Sequence, residues 1–417
     1  MNWTGLRPTS EKVQHTGTRT IAAAMQLAGK MPGVDMLKTD GRTAYNADHE
    51  MFRDTVRKFL EREFLPHFDR WEAGGIIDRS FWRACGDAGL LCPTVPEDLG
   101  GLGLDFRYNA IIDEEIGYAA GTLSGTSLQS DIVVDYIVEY GTDAQKAAYL
   151  PGMISGELIT AIAMTEPGAG SDLQGIRTTA RRDGDHYVLN GVKQFITSGQ
   201  NGDVAIVMAV TDKAAGKKGI SAFLVPTATP GYTVARIEDK MGQHASDTAQ
   251  ILFENCRIPA ANRLGEEGQG LKIALSGLEG GRIGIASQAV GMARAAFEAA
   301  LKYSKDRVSF GQPIFNHQAI QFKLADMATQ IEAARQLIWH AASLKDAGQP
   351  CLKEAAMAKL FATEMAERVC SDAIQVHGGY GYVSDFPVER IYRDVRVCQI
   401  YEGTSEVQKI LIGRALG

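Results

Sequence analysis

The segment Ile400-Tyr401-Glu402-Gly403-Thr404-Ser405 sets one carboxylate between apolar residues and a Gly-Thr-Ser turn, just ahead of a closing helical pattern. Burial there disfavours the charged form, so the pKa of Glu402 rises toward neutrality and the group becomes a usable general base. A single glutamate is ordinarily a surface residue, and its neighbours alone do not overturn that. A second stretch, Thr165-Glu166-Pro167-Gly168-Ala169-Gly170-Ser171-Asp172, has glycines that let backbone amides approach an anion and hydroxyls at Thr165 and Ser171. It suits a phosphate or a heterocycle, and equally an ordinary loop. It is not a dinucleotide fingerprint, since no G-x-G-x-x-G follows a strand and opens a helix. Phe195-Ile196-Thr197-Ser198 places a ring and a hydroxyl two residues apart, hence on one face of a strand. There the ring can stack on a flat cofactor while the hydroxyl meets its polar edge; a core Phe beside a surface Thr is the alternative. Arg307, followed by Gln318, offers a bidentate donor for pyrophosphate or else a solvated helix end. Gln375-Val376-His377-Gly378-Gly379-Tyr380-Gly381 reads as a glycine C-cap whose glycines also leave room for a ligand.

Positioning these groups takes helices, then strands, then helices. Phe52, Val56, Phe59, Leu60 and Phe64 recur at helical spacing between Asp48 and Phe64, and Pro66 ends the pattern. Tyr108 to Tyr118 and Ser130 to Tyr140 also read as helices. Near residue 158 the periodicity changes. His186 to Thr197 reads as two β-rich runs joined by a tight turn at Asn190-Gly191. Runs at Asp203 to Thr211, Gly219 to Val225, Gly231 to Ile237 and Ala249 to Ile258 follow, and short strands at this spacing predict a small barrel or sandwich. Beyond Gly270, Ile320, Leu324, Met327, Ile331, Ile338 and Leu344 mark one face of a long helix, and Ala355 to Val376 and Glu406 to Leu416 continue the helical pattern. Four such helices bury their stripes best as an antiparallel bundle.

Composition bounds the function. The 417 residues suggest two to four domains at roughly 100 to 200 residues each. With 43 Lys plus Arg against 50 Asp plus Glu, net charge -7, there is no overall basic field to hold nucleic acid. No apolar run of about 18 residues predicts a membrane span. The six cysteines form no C-x-x-C pair and no His pair falls at H-x-x-x-H spacing, so neither a disulfide framework nor a metal site is expected. Buried free thiols in a reducing compartment are. Residues 1–41 carry Arg7, Lys12, Arg19 and Lys30 with few acids, and Thr20 to Gly29 suits a weak amphipathic helix, a faint likeness to an organelle presequence without a secretory core. The expectation is a retained extension and a bacterial cytoplasmic protein, with the mitochondrial matrix as the alternative.

TEPGAGSDL, QFITSG, MGQHASDT, LEGGRIGIA, DRVSFGQPI, QVHGGYGY and YRDVRVCQIYEGTSEVQKILIGRAL stand in one chain in the order found in the acyl-CoA dehydrogenase family. The sequence resembles that family from about Ala47 to Leu416. The resemblance implies a multidomain α+β fold: an N-terminal helical domain at 42–160, a middle β-barrel at 161–274 and a C-terminal four-helix bundle at 275–417, in a homotetramer built as a dimer of dimers. It implies bound FAD. Met164, Thr165, Gly170, Ser171, Phe195, Ile196 and Thr197 would meet the flavin side. Arg307, Phe310, Gln318, Gln375, Gly378 and Gly379 would hold the adenosine diphosphate half across a subunit boundary, and Thr404 and Ser405 would complete the site. Ser171, Glu279, Arg282, Tyr401 and Gly403 would border the acyl-CoA substrate.

By the same resemblance, Glu402 would take the pro-R Cα proton of an acyl thioester while hydride passes from Cβ to flavin N5, giving the trans-2-enoyl-CoA. Electrons would leave to an electron-transferring flavoprotein. Some members carry the base just before the arginine matched by Arg282, where this chain has Gly281. Glycine cannot abstract a proton, so the base is assigned to Glu402, with Glu279 offset in register as a ligand-mouth or surface acid. His244 stands where the family's G-x-R-x-S-D-T motif has arginine, and chain-length preference is ambiguous. The alternatives are an acyl-CoA oxidase, usually a longer chain, and a non-catalytic acyl-CoA-binding relative, which should have lost the base.

Overall fold

The computed structural model describes residues 45–120 and 124–417, so the expected Thr20 to Gly29 helix lies outside the described residues. The chain begins in helices: α1 (Ala47–Phe59) running into a π turn (Leu60–Phe64), α2 (Phe68–Gly74), α3 (Arg79–Asp87) and α4 (Phe106–Ala120). Then α5 (Ser124–Leu128) passes through a π turn (Gln129–Val133) into α6 (Val134–Tyr140), and α7 (Asp143–Ser155) closes the region. Local chemistry sets the starts. Asn46 accepts from the His49 amide at 3.0 Å while its own N–H donates to His49 Nδ1 at 3.2 Å, a reciprocal cap that satisfies two donors otherwise orphaned. Thr142 and Gln145 do the same for α7.

Eight strands follow: β1 (Thr160–Ala163), β2 (Thr179–Asp183), β3 (His186–Thr197), β4 (Val204–Val210), β5 (Ile220–Pro226), β6 (Tyr232–Ile237), β7 (Thr248–Pro259) and β8 (Arg263–Leu264). They form one sheet in the order β6-β7-β3-β2-β4-β5-β8, with β1 parallel to β4. The expected turn at Asn190-Gly191 is not there. β3 is a single twelve-residue strand, because Asn190 pairs with Thr179 of β2 and Gly191 with Phe253 of β7, leaving the segment held on both sides. The reversal falls instead between β2 and β3, where Gly184 has φ 62. The continuous apolar runs of β4 and β5 have a direct cause, burial on both faces. Ala205, Val207, Phe223 and Val225 fill the barrel core, while Ile206, Met208 and Leu224 join the core of the N-terminal helices.

The remainder is helical: α8 (Gly270–Ser276), α9 (Leu278–Asp306), a two-residue hairpin β9 (Val308–Ser309) and β10 (Gln312–Pro313), then α10 (Gln318–Asp346), α11 (Leu352–His377), α12 (Val388–Val395) and α13 (Ser405–Leu416). Among the described residues no helix is long and apolar enough to cross a membrane. All six cysteines are free and buried.

The first helices and the bundle meet where α4 crosses α9. A Cβ on Gly291 would stand 2.1 Å from the Glu114 carbonyl oxygen, so the two backbones approach as closely as glycine allows. Charge joins them as well. Glu115 accepts from Arg53 at 2.7 Å, Arg57 at 2.9 Å and Arg294 at 2.8 Å, and Glu114 from Arg294 at 2.8 Å and from Arg335. Burial pushes Glu114 upward, but Arg335, Arg53 and Arg294 outweigh it and hold its pKa down to about 2. This stability is present above the ordinary carboxylate value of 4.5 and is lost as pH falls toward about 2. Glu115→Gln leaves buried guanidinium groups short of a counter-charge; the expected loss is about 3 kcal/mol in urea unfolding at neutral pH, and an unchanged midpoint would contradict the network's role.

Candidate active site

Glu402 sits in the connection between a 3-10 turn (Arg396–Gln399) and α13. Its backbone is left-handed, φ 55, and Gly403 follows at φ 88. Thr404 caps α13 by accepting from the Val407 amide at 3.4 Å. Three hydrogen bonds fix the turn: Gln408 Nε2 reaches the carbonyls of Glu402 at 3.0 Å and Gly403 at 2.9 Å, and Lys359 Nζ reaches the Gly403 carbonyl at 2.7 Å. The carboxylate is thereby aimed at α9. Its Oε2 is buried and has no hydrogen-bond partner. A Cβ at Gly281 would lie 3.0 Å from that oxygen and 2.6 Å from Ile132 Cδ1, so a side chain there would press on the ends of Glu402 and Ile132. The alternative base position and Glu402 therefore adjoin one another.

Burial raises the pKa of Glu402, while the positive charges of Arg282 and then Lys359 pull it back down. Arg282 is 4% exposed, and its Nε and Nη1 have no partner. Buried polar atoms are nearly always satisfied, so an orphaned carboxylate oxygen and an orphaned guanidinium on one wall mark a place that a ligand completes. Tyr136 lines the same region, its hydroxyl donating to the Ala274 carbonyl at 2.9 Å. Glu279 is half-buried and accepts from Cys351 Sγ at 3.4 Å; it makes no ion pair with Arg282. Tyr401 takes a long bond of 3.4 Å from Gln243 Nε2, and the Gln243 amide donates to Asp394 Oδ1 at 2.5 Å, docking the 240–247 loop onto the C-terminal elements. His244 bonds the Lys240 carbonyl at 2.7 Å and lies 3.5 Å from Glu72.

A second group forms where β1 meets β3. Lys193, fully buried, donates to Glu166 Oε1 at 2.8 Å and to the Met164 carbonyl at 3.0 Å. Glu166 also accepts from the Arg177 and Thr178 amides, and the Thr165 carbonyl accepts from the Gln194 amide at 2.8 Å. The Met164–Gly170 loop is thus sewn to β3 with Thr165 half-buried and Gly170 and Ser171 exposed. Opposite it β3 shifts register between Lys193 and Ile196, and Phe195, at φ 59, is turned out to 63% exposure. Thr197 shares that side. The Ile196 side chain points into the barrel core, so only its backbone can face a ligand there.

A third feature is a cavity of about 660 Å³ lined by Arg307, Gly378, Gly379, Tyr303, His377 and Tyr380 among others. Gln318 and Gln375 are exposed and outside its lining, and Phe310 is 95% exposed. Ser405 Oγ is buried without a partner. The sequence reading missed Lys193, Lys359, Gln243 and Gln408. Lys359 carried a signal: it falls in the apolar stripe Ala355, Ala358, Ala362, Ala366 of α11, where a charge has no business unless something buried needs it. Lys193 carried one too: it continues the inward alternation of Tyr187 and Leu189, ahead of the bulge that changes the phase of β3.

A three-domain helix-sheet-helix chain with a sheltered carboxylate at the domain junction defines a class, and comparison supplies the family. Residues 46–157, 161–256 and 268–417 match the acyl-CoA dehydrogenase N-terminal, middle and C-terminal domains. The human mitochondrial short-chain specific acyl-CoA dehydrogenase is 47% identical over 365 residues, 87% of this chain and 89% of that protein. Butyryl-CoA dehydrogenase from Megasphaera elsdenii, a solved structure, is 42% identical with TM-score 0.86 over 89% of this chain and 98% of its own. A solved glutaryl-CoA dehydrogenase from Mycobacterium smegmatis in complex with FADH2 is 32% identical with TM-score 0.85 over 90% of this chain and 96% of its own. The chain belongs to the acyl-CoA dehydrogenase family, FAD-dependent oxidoreductases acting on CH-CH groups.

Gly281→Ala presses a methyl group against Ile132 Cδ1 and Glu402 Oε2, displacing the ends of both side chains. The expected outcome is a fall in kcat of at least about tenfold with butyryl-CoA, at unchanged unfolding midpoint within about 1 kcal/mol. A fully active alanine variant would show that the carboxylate works from elsewhere.

Proposed function

We propose that this chain oxidises a short, saturated acyl-CoA to its trans-2-enoyl-CoA, with Glu402 as the acceptor of the Cα proton. The observation that carries the reading is the Glu402 side chain: half-buried, with Oε2 itself out of solvent and without a hydrogen-bond partner, and flanked by two cations that do not touch it. Desolvation lifts the basicity of a carboxylate, and the positive charges of Arg282 and Lys359 oppose that rise and favour the ionised form a base needs. Among the described residues nothing accepts from the Glu402 N–H, which is free to donate to the thioester oxygen as the Cα–H bond breaks and negative charge develops there. Glu402 then holds the proton, and the packing of Ile132 and Gly281 against its Oε2 side keeps that side clear of the water that would weaken both interactions.

The residues present fit FAD. Phe195 is an exposed ring held on a strained backbone, Gly378 and Gly379 have open space where a side chain would stand, and Arg307 faces the 660 Å³ cavity. Met164, Thr165, Gly170, Ser171, Phe195, Thr197, the Ile196 backbone, Thr404 and Ser405 would hold the flavin half, and Arg307, Gly378 and Gly379 the diphosphate half. Bound FAD supplies the acceptor for the hydride that leaves Cβ, so that proton and hydride together account for the two-electron oxidation. The exposed Phe310, Gln318 and Gln375 suit a homotetramer in which each subunit completes a neighbour's pocket. The short acyl chain follows from the relatives named for short-chain and butyryl substrates, and from Ile132 filling the space beside the base. An electron-transferring flavoprotein would take the electrons onward.

Glu402→Gln keeps the geometry and removes the proton acceptor. The variant should stay yellow and bind butyryl-CoA, yet lose anaerobic flavin bleaching by at least about a thousandfold; retained bleaching would place the base elsewhere. A panel of acyl-CoAs from short to long should bleach the wild-type flavin fastest at the short end. Under air, peroxide well below one per turnover is expected, and near-stoichiometric peroxide would make the protein an oxidase.

A further inference from the structure

We infer that Lys359 is a positioning residue for the base: its ammonium group, held on the Gly403 carbonyl, keeps the Glu402-Gly403 backbone in the left-handed turn that aims the carboxylate, and keeps a positive charge behind it. The inference rests on the reading of Glu402 as base. Lys359 is fully buried along α11, in a stripe made mostly of alanines. Its Nζ has one acceptor, the Gly403 carbonyl at 2.7 Å. An ammonium group carries three donors, and burying it with one satisfied is unfavourable where a methionine of similar shape would pack without that cost. Bundle packing therefore gives no reason for a lysine here. The turn does.

Glu402 at φ 55 is strained, since a side chain in the left-handed region crowds its own carbonyl. Such a residue persists only where its surroundings over-determine it. Both carbonyls that follow from that conformation are claimed: Gln408 Nε2 bridges the oxygens of Glu402 and Gly403, and Lys359 takes Gly403 from the opposite helix. Thus α11 and α13 grip the turn from two sides, and the carboxylate points toward α9.

Electrostatics works in the same direction. The charged and titratable groups facing Lys359 are Cys398 from the 3-10 turn, Glu402 from the loop, Arg282 from α9 and Glu406 from α13. Burial lowers the pKa of Lys359 to about 8, with Cys398 and Glu402 pulling it back up, so the group is charged at neutral pH. A cation beside a carboxylate lowers the carboxylate's pKa. Its removal must raise that pKa, and the acid side of the pH profile for proton abstraction must move to higher pH.

The test uses the FAD-loaded, full-length enzyme mixed anaerobically with butyryl-CoA across pH. Lys359→Met removes donor and charge; flavin bleaching should slow by about thirtyfold or more, its acid limb should rise by about one pH unit, and butyryl-CoA affinity should stay within about threefold. Lys359→Gln restores a donor without charge, so part of the rate should return while the acid limb stays displaced. Wild-type rate and acid limb in either variant overturn the inference. Should Lys359→Met fail to load FAD, the Lys359→Gln limb decides the electrostatic half and Gln408→Met, which removes the other grip, decides the positional half by its bleaching rate. Glu402→Gln separates this inference from the one beneath it. If that variant bleaches normally, the base assignment falls; if it is inert while the Lys359 variants behave as wild type, Lys359 alone loses its role.

Discussion

A carboxylate withdrawn from water without a hydrogen bond to hold it, and kept ionisable by cations that stand off rather than touch, is the constraint around which the molecule is arranged. Glu402 Oε2 has no partner, and Arg282 and Lys359 act on it across space. In the role proposed for it, contact would be harmful: a bidentate arginine would drive the pKa down and occupy the lone pairs that a proton would have to reach. Distance would spoil it too, because an unaccompanied buried carboxylate stays protonated. The intermediate placement needs rigid elements on every side.

Those elements come from three parts of the chain. α9 brings Gly281 and Arg282, α11 brings Lys359, the 129–133 π turn brings Ile132, and the barrel's 240–247 loop bonds Tyr401 through Gln243. The α4–α9 crossing, with backbones in near contact at Gly291 and the Glu114–Glu115 pair bound by arginines from α1, α9 and α10, keeps the first helices and the bundle from sliding. The second face of β4 and β5, packed on the N-terminal helices, does the same for the barrel. Buried ion pairs are a costly way to gain stability but a specific one, since a charge network tolerates few alternative registers.

Strain follows function in the same way. Glu402 and Phe195 are both non-glycine residues at positive φ, one pointing its carboxylate inward and the other its ring outward. Each is held by a buried lysine close by in the chain or in space: Lys359 on the Gly403 carbonyl, and Lys193 two residues before Phe195 on Met164 and Glu166. Local cost of this kind survives where tertiary contacts outweigh it.

The sequence by itself determined the helix-sheet-helix plan, since hydrophobic period is a local property that long helices and short strands write plainly. It also determined that Glu402 rather than residue 281 is the carboxylate available, because identity at a position needs no geometry. Tertiary structure decided the rest. Asn190-Gly191 has the composition of a turn, yet β2 and β7 pair it on both sides and it stays a strand. The Ile196 side chain, flanked by two residues that face outward, belongs to the barrel core, because a bulge resets which side chains face out. Whether Glu402 is exposed or sheltered, and whether Lys359 is a stray charge or a grip on its backbone, depends on four separated segments meeting at one point. Pair distances across hundreds of residues are set by packing, and no local pattern contains them.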